Sequence, residues 1–271
     1  MRRIRAIADP CVGARLVKLA AAAIARVRDL IRRAGFDVVR HDAVPGDLAA
    51  DIRETILAVR PFTLTSVQRI AALCEACRYL STRGVVGDVV ECGVWRGGSM
   101  MAVARTLRHD GDAGRTLHLF DTFEGMPPPT EHDVAPSGET AATLLGAADR
   151  EVADSIWCVA GVDEVVRNMT STGYDPALVR YVKGKVEDTI PRAAPERIAL
   201  LRLDTDWYES TRHELVHLFP RLVPGGILIL DDYGHWEGAR EAVDDYIREH
   251  RLKLYLQRID YSGRLAVKIS D

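Results

Sequence analysis

The chain has 271 residues, of which 47% are hydrophobic and 28% are charged, and this is the composition of a globular protein with one sizeable core. Its formal net charge of −3 gives no basic excess for binding nucleic acid, so the expected substrate is small or neutral. Five scattered cysteines without a secretory leader argue against a disulfide framework and favour a reducing, cytoplasmic compartment.

The N-terminal segment is basic, because residues 1–35 contain nine Lys or Arg and two Asp. Its apolar run, residues 19–25, is too short to span a bilayer. We expect an amphipathic helix that packs on the rest of the chain or on a partner subunit, with a helix on a membrane surface as the alternative. Residues 1–60 are therefore predicted to form a helical extension that supports a homodimer, and residues 61–271 to form the main domain.

From residue 88 onward, short apolar runs alternate with helical periods, a pattern typical of a parallel sheet with crossover helices. The predicted strands are residues 88–92, 116–120, 180–183, 199–203 and 227–230. The predicted helices are residues 98–108, 162–172, 210–222 and 239–249. An earlier helical pattern over residues 66–80 contains Cys74 and Cys77, which we interpret as buried thiols.

The last part of the chain predicts a hairpin. Residues 254–260 and 264–269 are two strand patterns whose three-residue loop allows only antiparallel pairing. A parallel sheet closed by such a hairpin resembles the class I methyltransferase fold, whereas a dinucleotide-binding fold would continue with parallel strands. Between the second and third strands, residues 127–146 have no clear periodicity and predict a functional loop at the strand ends.

A glycine-rich turn follows the first strand and leads into a helix. Gly93, Gly97 and Gly98 would let the backbone turn sharply against a ligand, and the helix N-terminus favours a carboxylate. Their spacing matches neither the dinucleotide-binding pattern nor a P-loop. At the end of the second strand, Asp121 is suited to bind ribose hydroxyls or, alternatively, to cap the turn that follows.

Two further strands end in pairs of acids, Asp204 with Asp206 and Asp231 with Asp232. The carboxyl ends of parallel strands share one edge of a sheet, so these side chains are expected to lie close together. Such crowding is unfavourable without a cation, and carboxylate oxygens suit Mg²⁺, with Mn²⁺ or Ca²⁺ as substitutes. The alternative is that some of these acids only cap strands or bind substrate.

A zinc-protease pattern, His213-Glu214-x-x-His217, lies on the predicted helix between the fourth and fifth strands. A third ligand would have to be Glu237 or Glu241, and neither stands in a recognisable zinc-protease context. Crossover helices cover the faces of the sheet, away from the strand ends. We therefore interpret the pattern as a chance match and not as a zinc hydrolase.

Four ordered motifs resemble the macrocin O-methyltransferase family: residues 87–99 (GDVVECGVWRGGS), 120–127 (FDTFEGMP), 203–211 (LDTDWYEST) and 224–233 (PGGILILDDY). The resemblance covers roughly residues 61–246. It implies a class I methyltransferase domain with a Rossmann-like α/β fold, in which a seven-stranded, mostly parallel sheet ends in an antiparallel hairpin. It also implies methylation of a sugar hydroxyl, on a glycoside, an oligosaccharide or a glycosylated natural product, with S-adenosyl-L-methionine and Mg²⁺ (or Mn²⁺).

The resemblance also implies the roles of individual residues. Asp204, Asp231 and Asp232 would bind the metal, and Asp206 would be the general base, with His235 as the other candidate. The cofactor would be bound by Thr63, Ser66, Glu91, Gly93, Val94, Trp95, Arg96, Gly97, Ser99, Asp121, Thr122, Phe123, Lys185, Val186, Glu187 and Asp204.

Three other functions are weighed against this one. A catechol or phenol O-methyltransferase would share the fold and the cofactor. An NAD-dependent oxidoreductase is disfavoured by the glycine spacing and by the terminal hairpin. A non-catalytic interaction module that uses the basic N-terminal helix would have no affinity for S-adenosylmethionine.

Overall fold

The computed structural model describes residues 26–27, 30–31, 33–35, 44–152 and 155–270, and the chain forms two compact units, Met1–Ala43 and Val44–Asp271. In the first unit, the described residues Arg26, Val27, Leu30, Ile31 and Arg33 are helical. The basic helix expected within residues 1–35 falls largely outside the described residues and stays a prediction.

The second unit contains helices and strands in alternation. Its helices are α1 (Ala50–Val59), α2 (Val67–Arg83), α3 (Gly98–His109), α4 (Ala141–Ala147), α5 (Val162–Ser171), α6 (Val186–Thr189), α7 (Tyr208–Leu218) and α8 (Glu237–Glu249). Its strands are β1 (Asp88–Cys92), β2 (Leu117–Asp121), β3 (Val179–Lys183), β4 (Ile198–Leu203), β5 (Leu222–Leu230), β6 (Gln257–Arg258) and β7 (Arg264–Val267). Short 3₁₀ turns occupy Arg60–Phe62, Pro176–Leu178 and Phe219–Arg221.

The seven strands form one sheet in the order β3-β2-β1-β4-β5-β7-β6. Strands β1 to β5 are parallel, whereas β7 pairs antiparallel with both β5 and β6. The predicted parallel sheet and terminal hairpin are both confirmed. Because β1 and β4 lie at the centre, the segments that follow them meet at the middle of one sheet edge.

Both faces of the sheet are covered by helices. One face packs on α1, α2 and α3, whose buried residues include Ile52, Ile70 and Leu107. The other face packs on α7 and α8, which contribute Leu215 and Val243. Every residue of β4 is buried, as expected for a central parallel strand, and this explains its continuous apolar sequence apart from one arginine.

Several boundaries differ from the predicted ones. Strand β5 starts at Leu222, five residues before the predicted position, and carries the Pro224-Gly-Gly sequence within it. The segment 127–146 overlaps the short helix α4, whose first turn is capped by the Thr140 hydroxyl. The compact unit Val44–Asp271 includes α1, whose apolar residues are buried in the core, and the predicted domain boundary at residue 61 stays a prediction.

The cysteines of the sheet and of α2 are buried. Cys74, Cys77 and Cys92 are free thiols without exposure to solvent, and burial raises the pKa of Cys74 to about 11. This agrees with the interpretation of the CxxC pair as core residues. Among the helices that the structure describes, none has both the length and the apolar character needed to cross a bilayer.

Candidate active site

A cavity of about 300 Å³ opens at the carboxyl ends of the central strands. The predicted site residues that line it follow β1, β2, β3, β4 or β5, or belong to the segment before α2. They are Thr63, Gly93, Val94, Trp95, Ser99, Asp121, Thr122, Lys185, Val186, Glu187, Asp204, Asp206, Asp231, Asp232 and His235. The fold thus brings together residues that are far apart in the sequence.

The turn after β1 is packed tightly against the end of β4. Gly93 has a φ of 80°, and a Cβ at this position would lie 1.8 Å from the carbonyl oxygen of Asp204. Only glycine fits such a close approach of two backbones. Trp95, in the same turn, also has a positive φ, of 47°, which is rare for an aromatic residue and is held in place by the surrounding contacts.

The carboxyl group of Asp121 fixes this turn. Its Oδ2 accepts hydrogen bonds from the backbone N–H groups of Val94, at 2.6 Å, and Trp95, at 3.0 Å. Its Oδ1 accepts one from the N–H of Phe123, at 2.7 Å. The capping role weighed for Asp121 is therefore present, although the residue also lines the cavity.

Five residues predicted to bind the cofactor do not line the cavity, for different reasons. Ser66 caps α2 and donates a hydrogen bond to Asp260, and Arg96 forms an ion pair with Glu164. The other three, Glu91, Gly97 and Phe123, are buried.

The three predicted metal ligands do come together. Asp204, at the end of β4, and Asp231 and Asp232, at the end of β5, each offer an oxygen within 4.8 Å of the others. Their removal from water, together with their mutual repulsion, raises the pKa values of Asp204 and Asp232. These are the properties expected of an acidic cluster built to hold a cation.

A buried arginine, which the sequence motifs did not identify as part of the site, lies beneath this cluster. Arg202 of β4 donates from Nη1 to Glu91 Oε1, at 2.6 Å, and to Asp204 Oδ2, at 2.7 Å. From Nη2 it donates to Asp231 Oδ1, at 2.5 Å, and to the Thr65 hydroxyl, at 3.0 Å. A charged residue inside an otherwise apolar strand was the signal that could have revealed it.

A second arginine reaches the cluster from α2. Arg69 lines the cavity, pairs with Asp231 through Nη1, and donates from Nε to Asp260 Oδ2 at 3.0 Å. Nothing in the helical periodicity of α2 distinguished this residue from a surface arginine. Its ion pair with Asp260 depends on the terminal hairpin, whose strand β7 pairs with β5.

Asp206 has different neighbours from the other acids. Its backbone is left-handed, with a φ of 67°, and its N–H donates to Asp232 Oδ2 at 3.2 Å. Its carboxylate oxygen Oδ1 accepts a hydrogen bond from the indole N–H of Trp236, at 2.7 Å. Burial, followed by the negative charge of Asp204, raises the pKa of Asp206 to about 7. A carboxyl group with such a pKa can exchange protons near neutral pH.

His235, the other predicted base, also lines the cavity. Burial, followed by the positive charge of Arg69, lowers the pKa of its imidazole, so the ring is neutral at pH 7. Its Nδ1 lies 3.5 Å from the hydroxyl of Tyr261. Both predicted bases are therefore placed at the cavity.

The zinc-protease pattern lies away from the cavity, on α7. His213 Nε2 is 3.0 Å from the carbonyl oxygen of Ile190, and Glu214 is buried against Thr205. Among the described residues, the two groups able to hold a metal are Asp204, Asp231 and Asp232, and separately Asp51, His109 and Asp110. The interpretation of the pattern as a chance match agrees with this arrangement.

The sequence of the chain is similar to those of known O-methyltransferases. Residues 41–266 match the model of the family described as macrocin-O-methyltransferase (TylF). The 8-demethyl-8-(2,3-dimethoxy-alpha-L-rhamnosyl)-tetracenomycin-C 4'-O-methyltransferase of Streptomyces olivaceus is 36% identical over 205 residues, which cover 74% of this chain and 73% of that protein. The mycinamicin III 3''-O-methyltransferase of Micromonospora griseorubida is 33% identical over 201 residues, which cover 74% and 76%.

Solved structures share the fold. The O-methyltransferase NovP aligns with a TM-score of 0.65 and 30% sequence identity, over 77% of this chain and 82% of NovP. The calicheamicin methyltransferase CalS11 aligns with a TM-score of 0.59 and 19% identity, over 86% and 98% of the two chains. The predicted class I methyltransferase fold is confirmed.

Proposed function

Because the chain belongs to the macrocin O-methyltransferase family and is an S-adenosylmethionine-dependent O-methyltransferase, we propose that it methylates a sugar hydroxyl, with a divalent metal and with Asp206 as general base. One similar protein is named for a rhamnosyl compound, which supports a glycoside as the acceptor. The observation that carries the proposal is the cavity wall, where Asp206 stands beside three carboxylates able to share a cation.

The cofactor would lie along the turn after β1. The backbone around Gly93 and the start of α3 would face its methionine end, while residues 185–187, after β3, would flank its adenine end. Asp121 lines the same cavity, so we retain its proposed contact with the ribose. Glu91 would act indirectly, by holding Arg202.

The residues present fit a divalent metal. Five carboxyl groups, those of Glu91, Asp204, Asp206, Asp231 and Asp232, share this region with the guanidinium groups of Arg69 and Arg202, so negative charge is in excess when the acids are ionised. The donors are hard oxygens, which suits Mg²⁺ or Mn²⁺. A carboxylate has several lone pairs, so Asp231 can accept from arginine and still offer a ligand atom.

The chain's own residues would then divide the work of the reaction. S-adenosylmethionine supplies an electrophilic methyl group, and a metal held by Asp204, Asp231 and Asp232 would lower the pKa of the acceptor hydroxyl. Asp206 would accept the proton that this hydroxyl loses as its oxygen bonds to the methyl carbon. Trp236 orients the receiving carboxylate through its indole N–H. The products are a methyl ether, S-adenosylhomocysteine and a proton that passes from Asp206 to solvent.

Two features of the whole enzyme remain proposals. The free thiols Cys74, Cys77, Cys92 and Cys158 suit a reducing cytoplasmic compartment. The basic N-terminal residues are proposed to support a homodimer.

A parallel assay of two acceptors tests the proposed substrate class. The enzyme is incubated with S-adenosylmethionine carrying a labelled methyl group, with Mg²⁺ and with either a rhamnosylated aromatic compound or a catechol. We expect label on the glycoside, with one S-adenosylhomocysteine released for each methyl group transferred, and none on the catechol. Label on the catechol alone would support the phenol methyltransferase instead.

A further inference from the structure

The turn between β4 and α7 carries both a proposed metal ligand and the proposed base, yet its backbone is strained. Asp204 and Asp206 flank Thr205, and the φ of Asp206 is 67°. A residue other than glycine keeps such a conformation only when its surroundings enforce it. The contacts that hold Thr205 therefore decide where the two carboxyl groups stand.

Glu214 of α7 provides the side-chain contact. The hydroxyl of Thr205 donates a hydrogen bond to Glu214 Oε1 at 3.0 Å, while the carbonyl oxygen of Thr205 accepts one from the N–H of Trp207 at 2.8 Å. Glu214 has no exposed surface, and α7 is packed firmly on the sheet. The middle of the turn is thus attached to a rigid helix.

Burying a glutamate at this position costs folding free energy that an apolar side chain would not cost. It lies on the sheet-facing side of α7, and its second oxygen, Oε2, is buried and accepts no N–H or O–H hydrogen bond among the described residues, although the weakly donating thiol of Cys92 lies beside the carboxyl group. A buried polar atom of this kind calls for a physical reason, since an apolar side chain would avoid the cost of desolvation. Burial also raises the pKa of Glu214 well above its ordinary value, and glutamine keeps the shape of the side chain and a carbonyl acceptor.

We propose that Glu214 is a positioning residue, which, by holding Thr205, fixes the metal-binding Asp204 and the base Asp206 relative to each other. This rests on the proposed function for the two aspartates. It also gives the glutamate of the pattern that we interpret as a chance match to zinc proteases a positioning role in the reaction.

Three variants separate positioning from mere stability. Glu214→Met and Thr205→Val each remove the hydrogen bond at similar volume, whereas Glu214→Gln keeps an acceptor for the hydroxyl. His217→Gln, on the same helix and outside the site, is the matched control. Each variant is measured in two ways. Steady-state kinetics of methyl transfer to a glycoside give kcat and the KM for S-adenosylmethionine, and amide hydrogen exchange is followed over residues 203–208.

We expect Glu214→Met and Thr205→Val to lower kcat about tenfold or more, with little change in KM for S-adenosylmethionine. The double variant should fall no further than either single one, because both remove the same contact. The amide of Asp206 should exchange faster in both, while Glu214→Gln and the control should resemble the wild type.

Unchanged kcat and unchanged exchange in Glu214→Met and Thr205→Val would overturn the proposal. Equal loss in Glu214→Gln and Glu214→Met would also overturn it, because the hydrogen-bond acceptor would then not be what matters. If the wild type methylates no glycoside, the proposed function fails, but the exchange of residues 203–208 still decides whether Glu214 holds the turn.

Discussion

Asp204 and Asp206 are two positions apart in the sequence, but their carboxyl groups have different partners. Asp204 accepts a hydrogen bond from the buried guanidinium of Arg202, at 2.7 Å, which opposes the rise in the pKa of Asp204 that burial causes. Asp206 accepts from the neutral indole of Trp236 instead, and its pKa is raised to about 7. The same short motif therefore supplies one carboxyl group that is paired with a buried guanidinium and one that is paired with a neutral indole and suited to accept a proton.

At the scale of one residue, replacing Asp206 tests its proposed role as the group that accepts the proton. Asp206→Asn keeps the acceptor for Trp236 but cannot take up a proton, so we expect kcat to fall by about 10² to 10⁴. Calorimetry should show an unchanged affinity for S-adenosylhomocysteine. Asp245→Asn, at a half-buried position of α8 outside the cavity, serves as the control.

An Asp206→Asn variant with wild-type turnover would show that another group is the base. His235 would then be the first residue to replace, because its neutral imidazole lines the same cavity.

At the scale of elements, one side chain connects the three central strands. Arg202 of β4 pairs with Glu91 of β1 and with Asp231 at the end of β5, and all three groups are buried. A buried ion network of this kind is weak evidence for stability as such, but removing one partner leaves the others without compensation. Arg202 therefore connects the central strands and also supplies positive charge to the carboxyl groups of the site.

The variant Arg202→Met measures how much these ion pairs contribute to the free energy of unfolding. It leaves the carboxylates of Glu91, Asp204 and Asp231 without their shared cation, so we expect the free energy of unfolding to fall by about 3–5 kcal/mol. Arg248→Met removes an exposed ion pair with Asp245 and should cost about 1 kcal/mol or less. Urea unfolding of the two variants provides the comparison, and equal small losses would contradict a structural role for Arg202.

The strands and the acids at their ends could be predicted from the sequence, because buried parallel strands are apolar runs and their carboxyl ends share an edge. Asp204, Asp231 and Asp232 were correctly expected to meet there. Arg69 was not foreseen, since its partner Asp260 is in the hairpin and the contact depends on how that hairpin folds back. Glu91 is buried and forms an ion pair with Arg202, and its expected contact with the cofactor stays a prediction.

At the scale of the whole molecule, the sheet topology fixes the part of the cavity wall that we propose binds the cofactor more directly than the part that we propose binds the acceptor. The turns after β1, β2 and β3 form one part of the cavity wall, and each follows a strand whose position the topology fixes. Another part includes Met126 and Ile156, from the long connection between β2 and α5. Loop sequences of this kind vary most freely, so the choice of glycoside is expected to reside there.

The proposed reaction is tested most directly by measuring methyl transfer to a glycoside at increasing concentrations of Mg²⁺. Enzyme freed of metal by a chelator is given S-adenosylmethionine with a labelled methyl group and a glycoside, and Mg²⁺ is then added in steps. We predict no label on the sugar in excess chelator and full transfer once Mg²⁺ exceeds the chelator, because we propose that the carboxylates of Asp204, Asp231 and Asp232 hold the ion. Full labelling of the sugar in excess chelator would contradict the metal site, and the absence of label on the sugar at any Mg²⁺ concentration would contradict the proposed reaction.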